Sequence, residues 1–575
     1  MLVGAFSRMT KANSAGSAPR QSARQVLIYA IAIAVSCVAI TQLVFPAHFE
    51  TADDLNFSLL LSGVGLTHAP TYQTWFTNIL ITYPLMWLFQ WMPNVPWYSI
   101  YLFTVLIAAF TLIAMALMLR FNRSAGAALF LIYYVLVGAF IVNGLQYTST
   151  TALLTQSAFL LAFCLPAVKR FRANKFPKWI LYTAAVATVF ASMIRFEPFL
   201  LVLLISALTV LVTIPGKMEI IKRNQKPFIW FAVAVVIGFT LKTASNYYYD
   251  SQPAFAGVRE FFKPFSDLAD SDREKQPEAK AALSDNDYSL VKQFFVADKK
   301  VFTTETLTNA VAASYLPFTE NKFRWTLATS IAPVLLFSLS IAWLLNASII
   351  STPRLLFWLA GVVSLTLYLS FFMKLPTRIH LTLLTCAMTT LFMFLDRRKL
   401  KKIIHDLQHA PEIKRRVTII GLSAIAGLLT FWSAGLLYED YQIYFAEEIQ
   451  IKTAINTLAP KPKQLYIVLG TTTPYQFMSP FENLRRYFQG FDIYRTSLWS
   501  RMPVGDDMLK SHGFNNLLEA CQSPDVLFIS NPHSNERFAQ FCKEHFQMNA
   551  KFKRVFNEPN LNLNIYSLVL NPTGN

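Results

Sequence analysis

The sequence predicts a mainly α-helical fold: a polytopic bundle of about eleven transmembrane helices followed by a small soluble α/β domain. Of its 575 residues, 54% are hydrophobic and only 15% are charged, which is too few charges for a soluble chain of this length. Apolar runs of about 20 residues recur, the length that a helix needs to cross a bilayer. Lys and Arg gather in the short loops between these runs, so the net charge of +18 follows the positive-inside rule and does not indicate nucleic-acid binding.

The N-terminal region predicts a cytoplasmic arm and a first span. Residues 1–24 carry basic but no acidic side chains. The apolar run from Gln25 to Phe45 follows and lacks the small-residue cleavage site of a secretory signal. We therefore expect an uncleaved span that enters from the cytoplasm and ends outside, so that residues 46–96 form the first outer loop.

Within that loop, the stretch from Trp75 to Met92 is apolar enough to cross the membrane itself. If it crossed, Arg120 and Arg123 would be forced outside, against the positive-inside rule. Polar side chains also recur on one side of it at helical spacing, and several tryptophans suit the headgroup level. These residues are Thr74, Thr77, Asn78 and Thr82, with Trp75, Trp87, Trp91 and Trp97. We predict an interfacial helix, and a true span is the alternative.

Ten further apolar runs complete the predicted transmembrane domain, which covers residues 25–437. They lie near 97–119, 125–142, 148–166, 179–194, 199–214, 228–245, 325–345, 354–372, 378–395 and 417–437. A polar segment with charges of both signs, residues 246–324, forms a second large outer loop. The most basic loop follows Asp396 and belongs in the cytoplasm, so the C-terminal end of the chain lies outside.

Residues 438–575 predict an extracytoplasmic α/β domain, because apolar strand-like runs alternate there with helical stretches. The strand-like runs are Gln464–Leu469, Asp525–Ser530 and Leu563–Leu570, and the helical stretches are Phe481–Phe488 and Glu536–Phe546. Cys521 and Cys542 fall in this domain. A disulfide between them is permitted outside the cytoplasm, but the sequence does not establish one.

An acidic stretch directly follows the first span and places Glu50, Asp53 and Asp54 within five residues. The dipole at a helix C-terminus disfavours carboxylates, and their mutual repulsion raises at least one pKa, which suits a proton acceptor near neutral pH. The simpler interpretation is that Glu50 is solvated and that one aspartate caps the next short helix. Because capping accounts poorly for all three together, we predict the acid/base edge of an active site on the outer face of the membrane.

Two groups of charges at the outer membrane edge are candidate anion-binding residues. Arg195 and Glu197 lie between two apolar runs. One interpretation is a local salt bridge between them. The other is that the arginine contacts a phosphate and is oriented by the glutamate. Lys374, Arg378 and His380 lie at the outer turn between two spans. The two cations of this turn either snorkel to lipid headgroups or capture a lipid phosphate or diphosphate.

No cofactor is firmly predicted. The sequence has no phosphate-cradling Gly-rich loop, no Walker motif and no paired Cys or His spacing of a zinc site. These absences disfavour cytoplasmic nucleotide hydrolysis. His48, Asp53 and Asp54 are able to ligate a divalent cation, but their spacing is not specific for one. The metal requirement therefore stays open at the level of the sequence.

Several segments near the membrane edges and in the outer loops have a distinctive composition. They are Leu61-Ser62-Gly63, Thr77-Asn78-Ile79-Leu80, Pro96-Trp97-Tyr98, Tyr147-Thr148-Ser149-Thr150-Thr151-Ala152, Ile194-Arg195-Phe196-Glu197, Asn286-Asp287-Tyr288 and Phe294-Phe295-Val296-Ala297-Asp298. Together with the order of one span, an acidic outer loop, interfacial helices, many spans and an outer soluble domain, they resemble the GT-C superfamily of membrane glycosyltransferases. Its members include protein O-mannosyltransferases, oligosaccharyltransferases and the aminoarabinose transferases of lipid A. The segments are most similar to a group of uncharacterised bacterial membrane proteins of this architecture, over about residues 25–395.

The resemblance implies an enzyme of the bacterial inner membrane. It would move a sugar from a polyprenyl-phosphate donor to a glycan, lipid or protein acceptor of the cell envelope, at the outer face. The catalytic carboxylate of the superfamily lies in the first outer loop, which here gives Asp53 or Asp54, with Glu50 in reserve. Arg195, Lys374 and Arg378 would stabilise the departing lipid phosphate. The chain departs from the commonest pattern, an Asp-Glu pair, by having Asp53-Asp54, and it lacks the double-proline motif of some members.

Other function classes remain as alternatives. A transporter or flippase of a lipid-linked glycan would show polar residues in mid-span and two related halves with broken helices. Here the charges gather at the outer edge and the sequence shows no half-repeat, which disfavours this class. A polymerase or ligase of surface polysaccharide, with large outer loops, is the neighbouring alternative. A non-catalytic envelope assembly protein, whose soluble tail would carry the function, is the fourth.

Overall fold

The computed structural model describes most of the chain. The described residues are 22–164, 177–213, 225–255, 257–276, 283–317, 352–372, 376–395, 409–458, 464–470, 478–558 and 563–572, with the single positions 398, 402, 405 and 406. Three predicted features lie outside them wholly or for the most part. These are the cytoplasmic arm at 1–24, of which only residues 22–24 are described, the span near 325–345 and the candidate Lys374.

The membrane part is built from helices that follow one another with short connections. In chain order they are α1 (Ala23–Val44), α2 (Ala52–Ser62), α3 (Ile79–Trp91), α4 (Trp97–Arg120), α5 (Arg123–Asn143), α6 (Tyr147–Cys164), α7 (Lys178–Ile194), α8 (Phe196–Thr213) and α9 (Gln225–Asp250). Helix α5 contains a π-helical turn, Tyr134–Gly138. A parallel two-residue pair of strands, β1 (His48–Phe49) and β2 (Gly144–Leu145), connects the segment before α2 to the segment before α6.

The second outer loop and the last membrane helices follow. The loop contains α10 (Val258–Ala269), α11 (Asp285–Lys292) and α12 (Thr304–Ala312), with the antiparallel pair β3 (Glu274–Lys275) and β4 (Ser314–Tyr315). Then come α13 (Thr352–Phe372), α14 (Thr377–Phe394) and α15 (Glu412–Leu458). The described part of the loop predicted at 246–324 thus contains short helices, while its side of the membrane stays a prediction.

Ten of the eleven predicted spans coincide with helices in the described part of the chain. By length and composition, five helices there are long and apolar enough to cross a membrane. They are Ala23–Val44, Trp97–Arg120, Arg123–Asn143, Ile229–Asp250 and Pro353–Phe372. The chain is thus a multi-pass membrane protein with a mostly helical fold, while the number of eleven spans stays a prediction.

The ends of α4 and α14 lie side by side on the side predicted to face the cytoplasm. The buried guanidinium of Arg120 donates hydrogen bonds to the backbone carbonyls of Met393 and, at 3.3 Å, Leu395. Arginine can satisfy several acceptors at once because its fork has five N–H donors. A cation is therefore held at the end of a span by carbonyls that α14 leaves free.

Helix α3 differs from the prediction for residues 75–92. It begins only at Ile79, and the residues before it are not helical, with Trp75 in the left-handed region at φ 62°. The polar residues Thr74 and Thr77 thus do not lie on a helix face, although both are buried. A helix of 13 residues rises about 20 Å, short of the hydrocarbon core of about 30 Å. Its length favours the interfacial interpretation.

Helix α15 is longer than the predicted last span. It runs for 47 residues from Glu412 to Leu458, about 70 Å at the usual rise per residue. The predicted domain boundary at residue 438 therefore falls inside a continuous helix. Beyond that boundary, Tyr444 stacks on His48 and Glu448 accepts a hydrogen bond from the Ser479 N–H. The helix thus connects the membrane part directly to β1 and to the C-terminal domain.

The C-terminal domain is a five-stranded mixed sheet with helices against it, which confirms the predicted α/β character. Its strands are β5 (Leu465–Val468), β6 (Asp492–Arg495), β7 (Val526–Ser530), β8 (Met548–Glu558) and β9 (Leu563–Pro572), in the order β6-β5-β7-β9-β8. Its helices are α16 (Leu484–Phe488), α17 (Pro503–Ser511), α18 (Leu517–Cys521) and α19 (Pro532–Phe546). Strands β6 and β8 were not predicted, because β6 is short and β8 carries many polar residues. Cys521 and Cys542 are buried free thiols, and burial raises the pKa of Cys542 to about 12.

The domain is docked onto both outer loops by backbone and arginine hydrogen bonds. Arg501 donates to the carbonyls of Val296 at 2.6 Å, Asp298 at 2.7 Å and Phe302 at 2.6 Å. The N–H of Ile493 donates to the carbonyl of Gly65 at 2.8 Å, just after α2. The domain thereby covers the loop that carries the acidic stretch.

Candidate active site in the first outer loop

The acidic stretch has a different local structure from the one its sequence suggests. Helix α1 ends at Val44, and the chain passes through β1 before α2 begins with Thr51 as its N-cap. Asp53 and Asp54 therefore lie in the first turn of α2. The expectation that they occupy the end of the first span is wrong. The dipole of α2 favours carboxylates at this end of a helix, so the local field stabilises their charge.

Asp54 is completely buried and accepts three hydrogen bonds. Its Oδ1 accepts from the Tyr98 hydroxyl at 2.8 Å and from the Tyr147 N–H at 3.1 Å, and its Oδ2 accepts from the Thr51 hydroxyl at 3.1 Å. Burial raises the pKa of Asp54 to about 8, although the bonds from Tyr98 and Tyr147 lower it. The carboxyl group ties α2 to α4 and α6.

Asp53 has a different environment one residue earlier. It is only half-buried, and within the described ranges no hydrogen-bond or ion-pair partner contacts its side chain. Its charge interacts with Arg195 and with the neighbouring Asp54. Asp53 is therefore a carboxylate of the stretch with both oxygens available to a ligand.

Arg195 is fixed beside the stretch by α6. Its Nη1 donates to the Tyr147 hydroxyl and to the Thr148 hydroxyl, both at 2.7 Å. The guanidinium also lies over two rings, 4.7 Å from the centre of Tyr147 and 5.5 Å from that of Phe76. Its contact with Glu197 is longer, 3.6 Å, and the glutamate side chain is 64% exposed. The arginine is oriented mainly by Tyr147 and Thr148.

Glu50 contacts the third predicted group, at the start of α14. Its Oε1 accepts from the backbone N–H of Arg378 at 2.9 Å, while its buried Oε2 has no hydrogen-bond partner among the described residues. Burial raises the pKa of Glu50 to about 7; Arg378 lowers it and Asp440 raises it. Glu50 thus caps the first turn of α14 and joins α1 to it.

Arg378 and His380 lie on that first turn of α14. Arg378 is half-buried, and its charge interacts with Glu50 and Tyr147. His380 is buried. The fold therefore brings the charges of both Arg195 and Arg378 within electrostatic reach of Tyr147, next to the acidic stretch.

The proposed metal set of His48, Asp53 and Asp54 is not formed in the described structure. His48 is buried and stacks on Tyr444, with ring centres 3.4 Å apart and an interplanar angle of 14°. Burial lowers the pKa of His48 to about 3. The residue packs α15 against β1 as a neutral ring.

Tyr98 and Tyr147 contact the candidate site, although they were not among the site residues predicted from the sequence. Tyr147 is the central one, since its N–H binds Asp54 and its hydroxyl binds Arg195. Both lie at the start of membrane helices, inside segments that carried the superfamily resemblance. A tyrosine at the outer end of an apolar run was the available signal, but interfacial anchoring explains most such residues.

Several buried polar atoms near the stretch lack a hydrogen-bond partner among the described residues. They are both amide atoms of Asn56 and of Asn143, Nε2 of Gln146 and Oγ of Ser149. Asn56 lies on α2 next to the aspartates, and the other three flank β2 and the start of α6. Buried polar groups are normally paired, so this set offers donors and acceptors to a polar ligand.

The chain has matches among solved structures, at low sequence identity. No family model and no curated protein matches the chain. Among solved structures, the chain is similar to ArnT from Cupriavidus metallidurans bound to undecaprenyl phosphate, at 10% identity and a TM-score of 0.49, over 95% of this chain and 98% of that one. The apo state of the same protein gives 11% identity and a TM-score of 0.47 over the same shares.

Proposed function

We propose that the chain is a glycosyltransferase of the bacterial inner membrane that moves a sugar from a polyprenyl-phosphate donor to an acceptor of the cell envelope. The N-terminus lies in the cytoplasm, and the site and the C-terminal domain lie outside. The partners are the bilayer, the lipid-linked sugar and a glycan, lipid or protein acceptor. ArnT, the similar solved structure, was bound to undecaprenyl phosphate, and this chemistry fits a site at the membrane edge.

The observation that carries the proposal is the contrast between Asp53 and Asp54. Asp54 has all its hydrogen bonds inside the protein, which holds α2 in place, whereas Asp53 is half-buried and unpaired in the described structure. Asp53 is therefore the base that accepts the proton of an acceptor hydroxyl. The acceptor oxygen forms its bond to the anomeric carbon as the bond from that carbon to the phosphate oxygen breaks.

The departing lipid phosphate needs cations that are already oriented when charge develops on it. Arg195 meets this requirement, since two hydrogen bonds and two ring contacts hold its guanidinium. Arg378, whose charge also interacts with Tyr147, supplies a second positive charge. Lys374 and His380 complete the proposed set, and Glu197 adjusts the charge near Arg195.

The unpaired polar atoms bind the sugar of the donor. A glycosyl unit presents several hydroxyl groups, each a donor and an acceptor. Asn56, Asn143, Gln146 and Ser149 offer matching atoms in a buried place. Pairing these atoms on binding removes their desolvation penalty, which is about 1–3 kcal/mol for each unmade bond.

The test is complementation of a strain that lacks the chain. Full-length wild type and the variants Asp53→Asn and Arg195→Gln are expressed at equal levels, checked by immunoblot. The envelope glycans are then compared by mass spectrometry. Asp53→Asn is expected to lower the modified product by about 100-fold or more, the range of a lost general base. Arg195→Gln is expected to lower it by weaker donor binding.

The matched control is Asp507→Asn in the C-terminal domain, an exposed aspartate of α17 far from the stretch in sequence. It should complement fully. If Asp53→Asn also complements fully at equal expression, the catalytic proposal fails. If all variants lose expression together, their transfer activities are compared instead with purified protein in nanodiscs. The same order of activities is then required.

A further inference from the structure

A cluster of metal-ligating side chains lies where the C-terminal domain meets the first outer loop, away from the acidic stretch. It consists of His68 in the loop after α2, Asp492 at the start of β6 and His512 at the end of α17. One ligand atom from each lies within 4.8 Å of the other two. Three residues that are distant in sequence thus converge on one point.

The distances match those of ligands around one small ion. His512 Nε2 lies 2.9 Å from Asp492 Oδ2, and His68 Nδ1 lies 3.6 Å from Asp492 Oδ1. A tetrahedral zinc ion with ligands at about 2.0–2.1 Å holds neighbouring ligand atoms about 3.3 Å apart. The two observed separations, which involve different oxygens of Asp492, lie on either side of this value, and no two ligand atoms of the cluster are more than 4.8 Å apart.

The hydrogen bonds of His68 leave a lone pair aimed at the carboxylate. Ser511 donates its single hydroxyl proton to the Met508 carbonyl at 2.7 Å, so it accepts from His68 Nε2 at 2.8 Å. In the tautomer that carries its proton on Nε2, Nδ1 has a lone pair, and this atom lies 3.6 Å from the acceptor Asp492 Oδ1. A cation between the two groups makes this contact attractive.

The hydrogen bond from His68 Nε2 to Ser511 is of the kind that zinc ligands usually make to a residue outside the metal site. A ligating histidine donates its other N–H to a neighbouring acceptor, which fixes the ring and its tautomer. Ser511 does this for His68. The side chains of Asp492 and His512 are only 13% and 6% exposed, while that of His68 is 50% exposed. The site therefore has two rigid ligands and one that reaches in from solvent.

We propose that His68, Asp492 and His512 bind a zinc ion, with water in the fourth position. Two imidazoles and a carboxylate suit Zn²⁺ better than the oxygen-seeking Mg²⁺ or Ca²⁺. The ion fastens the C-terminal domain to the loop that leaves α2, beside the hydrogen bond from Ile493 to Gly65. The ion would hold the domain and the loop together. This proposal does not depend on the proposed transferase activity.

The experiment uses the full-length protein in detergent after removal of metal with a chelator. Zn²⁺ affinity is measured by competition with a chromophoric indicator, and Co²⁺ is added separately to record its absorption bands. Wild type is expected to take up one ion per chain. His68→Asn is expected to weaken Zn²⁺ binding by at least about 100-fold, since even outer-shell changes cost 10–100-fold. His512→Asn should do the same, and Ser511→Ala should have the smaller outer-shell effect.

The matched control is His533→Asn, an exposed histidine of α19 in the same domain. It should bind zinc as wild type does. His68 is half exposed, so its variant should fold, which equal melting temperatures in chelator verify. Zinc should raise the melting temperature of wild type and leave that of His68→Asn unchanged. The proposal is overturned if wild type binds no more zinc than His68→Asn, or if His533→Asn loses the ion equally.

Discussion

The two ends of the acidic stretch hold their carboxyl groups in different ways. At the Asp54 end, three donors from α4, α6 and the N-cap of α2 satisfy both oxygens. At the Glu50 end, one backbone N–H of α14 satisfies one oxygen, and the other oxygen is buried without a hydrogen-bond partner in the described structure. Burial raises the pKa at both ends, to about 8 for Asp54 and to about 7 for Glu50.

The difference separates a carboxyl group that holds the helices of the site together, Asp54, from carboxyl groups that have an oxygen available, Glu50 and Asp53. Both oxygens of Asp54 already accept hydrogen bonds from the protein, so Asp54 holds structure. One oxygen of Glu50 has no partner in the described structure, so Glu50 can change its protonation without disturbing a second bond. Asp53, between them, has neither set of partners and remains for the substrate.

The largest expected effect is that of Asp54→Ala. It leaves the donors of Thr51, Tyr98 and Tyr147 unpaired in a buried place, and each costs about 1–3 kcal/mol. We expect the protein to lose about 3 kcal/mol or more of stability, seen as a large drop in the thermal midpoint in detergent. Glu50→Ala removes one backbone bond and should cost less. Equal losses in the two variants would remove the distinction between the two ends.

The pH dependence of stability should separate the two ends next. The ordinary pKa of Glu50 is 4.5, and in the folded protein it is about 7, so the folded chain holds the proton more tightly. The stability from this group is full below pH 4.5, falls as pH rises towards 7, and is lost above that. Glu50→Gln keeps the acceptor for Arg378 and should flatten the fall between pH 4.5 and 7.

The measurement is the thermal midpoint of wild type, Glu50→Gln and Asp54→Asn across pH 4.5–8.5. Asp54→Asn should flatten the curve up to a higher limit, about pH 8, because the folded pKa of Asp54 is about 8. A Glu50→Gln curve that runs parallel to wild type throughout would show that the ionisation of Glu50 does not change the stability.

The smallest expected effect is that of Glu197→Gln. Its contact with Arg195 is 3.6 Å long and its side chain is 64% exposed, and such surface pairs contribute about 0–1 kcal/mol. We expect the transfer rate to change less than about threefold. Tyr147→Phe, which removes a 2.7 Å bond to the same arginine, should lower the rate more. The reverse order would mean that Glu197, not Tyr147, orients the arginine.

Much of the fold could be predicted from the sequence because the bilayer imposes strong rules. Apolar runs of about 20 residues and the positions of Lys and Arg are sufficient to place most helices. The same rules do not fix where a helix ends in water. Helix α15 therefore continues past residue 438 to Leu458, and α3 begins at Ile79 instead of 75.

The site was predicted in part, for a comparable reason. Charges at the outer edge are visible in a sequence, and the fold places Glu50, Asp53, Asp54, Arg195 and Arg378 near one another. The hydrogen bonds that distinguish Asp53 from Asp54 come from α4 and α6, and no local pattern reveals contacts across 44 and 93 residues. The His68 cluster is hidden for the same reason, since its three residues are more than 400 positions apart at the extremes.

The central claim is that Asp53 reacts while its neighbour Asp54 only positions it. The direct test compares transfer with donor binding for purified wild type and Asp53→Asn in nanodiscs. Binding of undecaprenyl phosphate is measured by native mass spectrometry, and transfer from a lipid-linked sugar by product formation. The account predicts lipid affinity within about threefold of wild type and transfer reduced by about 100-fold or more. Full transfer by Asp53→Asn, or a loss of lipid affinity as large as the loss of transfer, would contradict it.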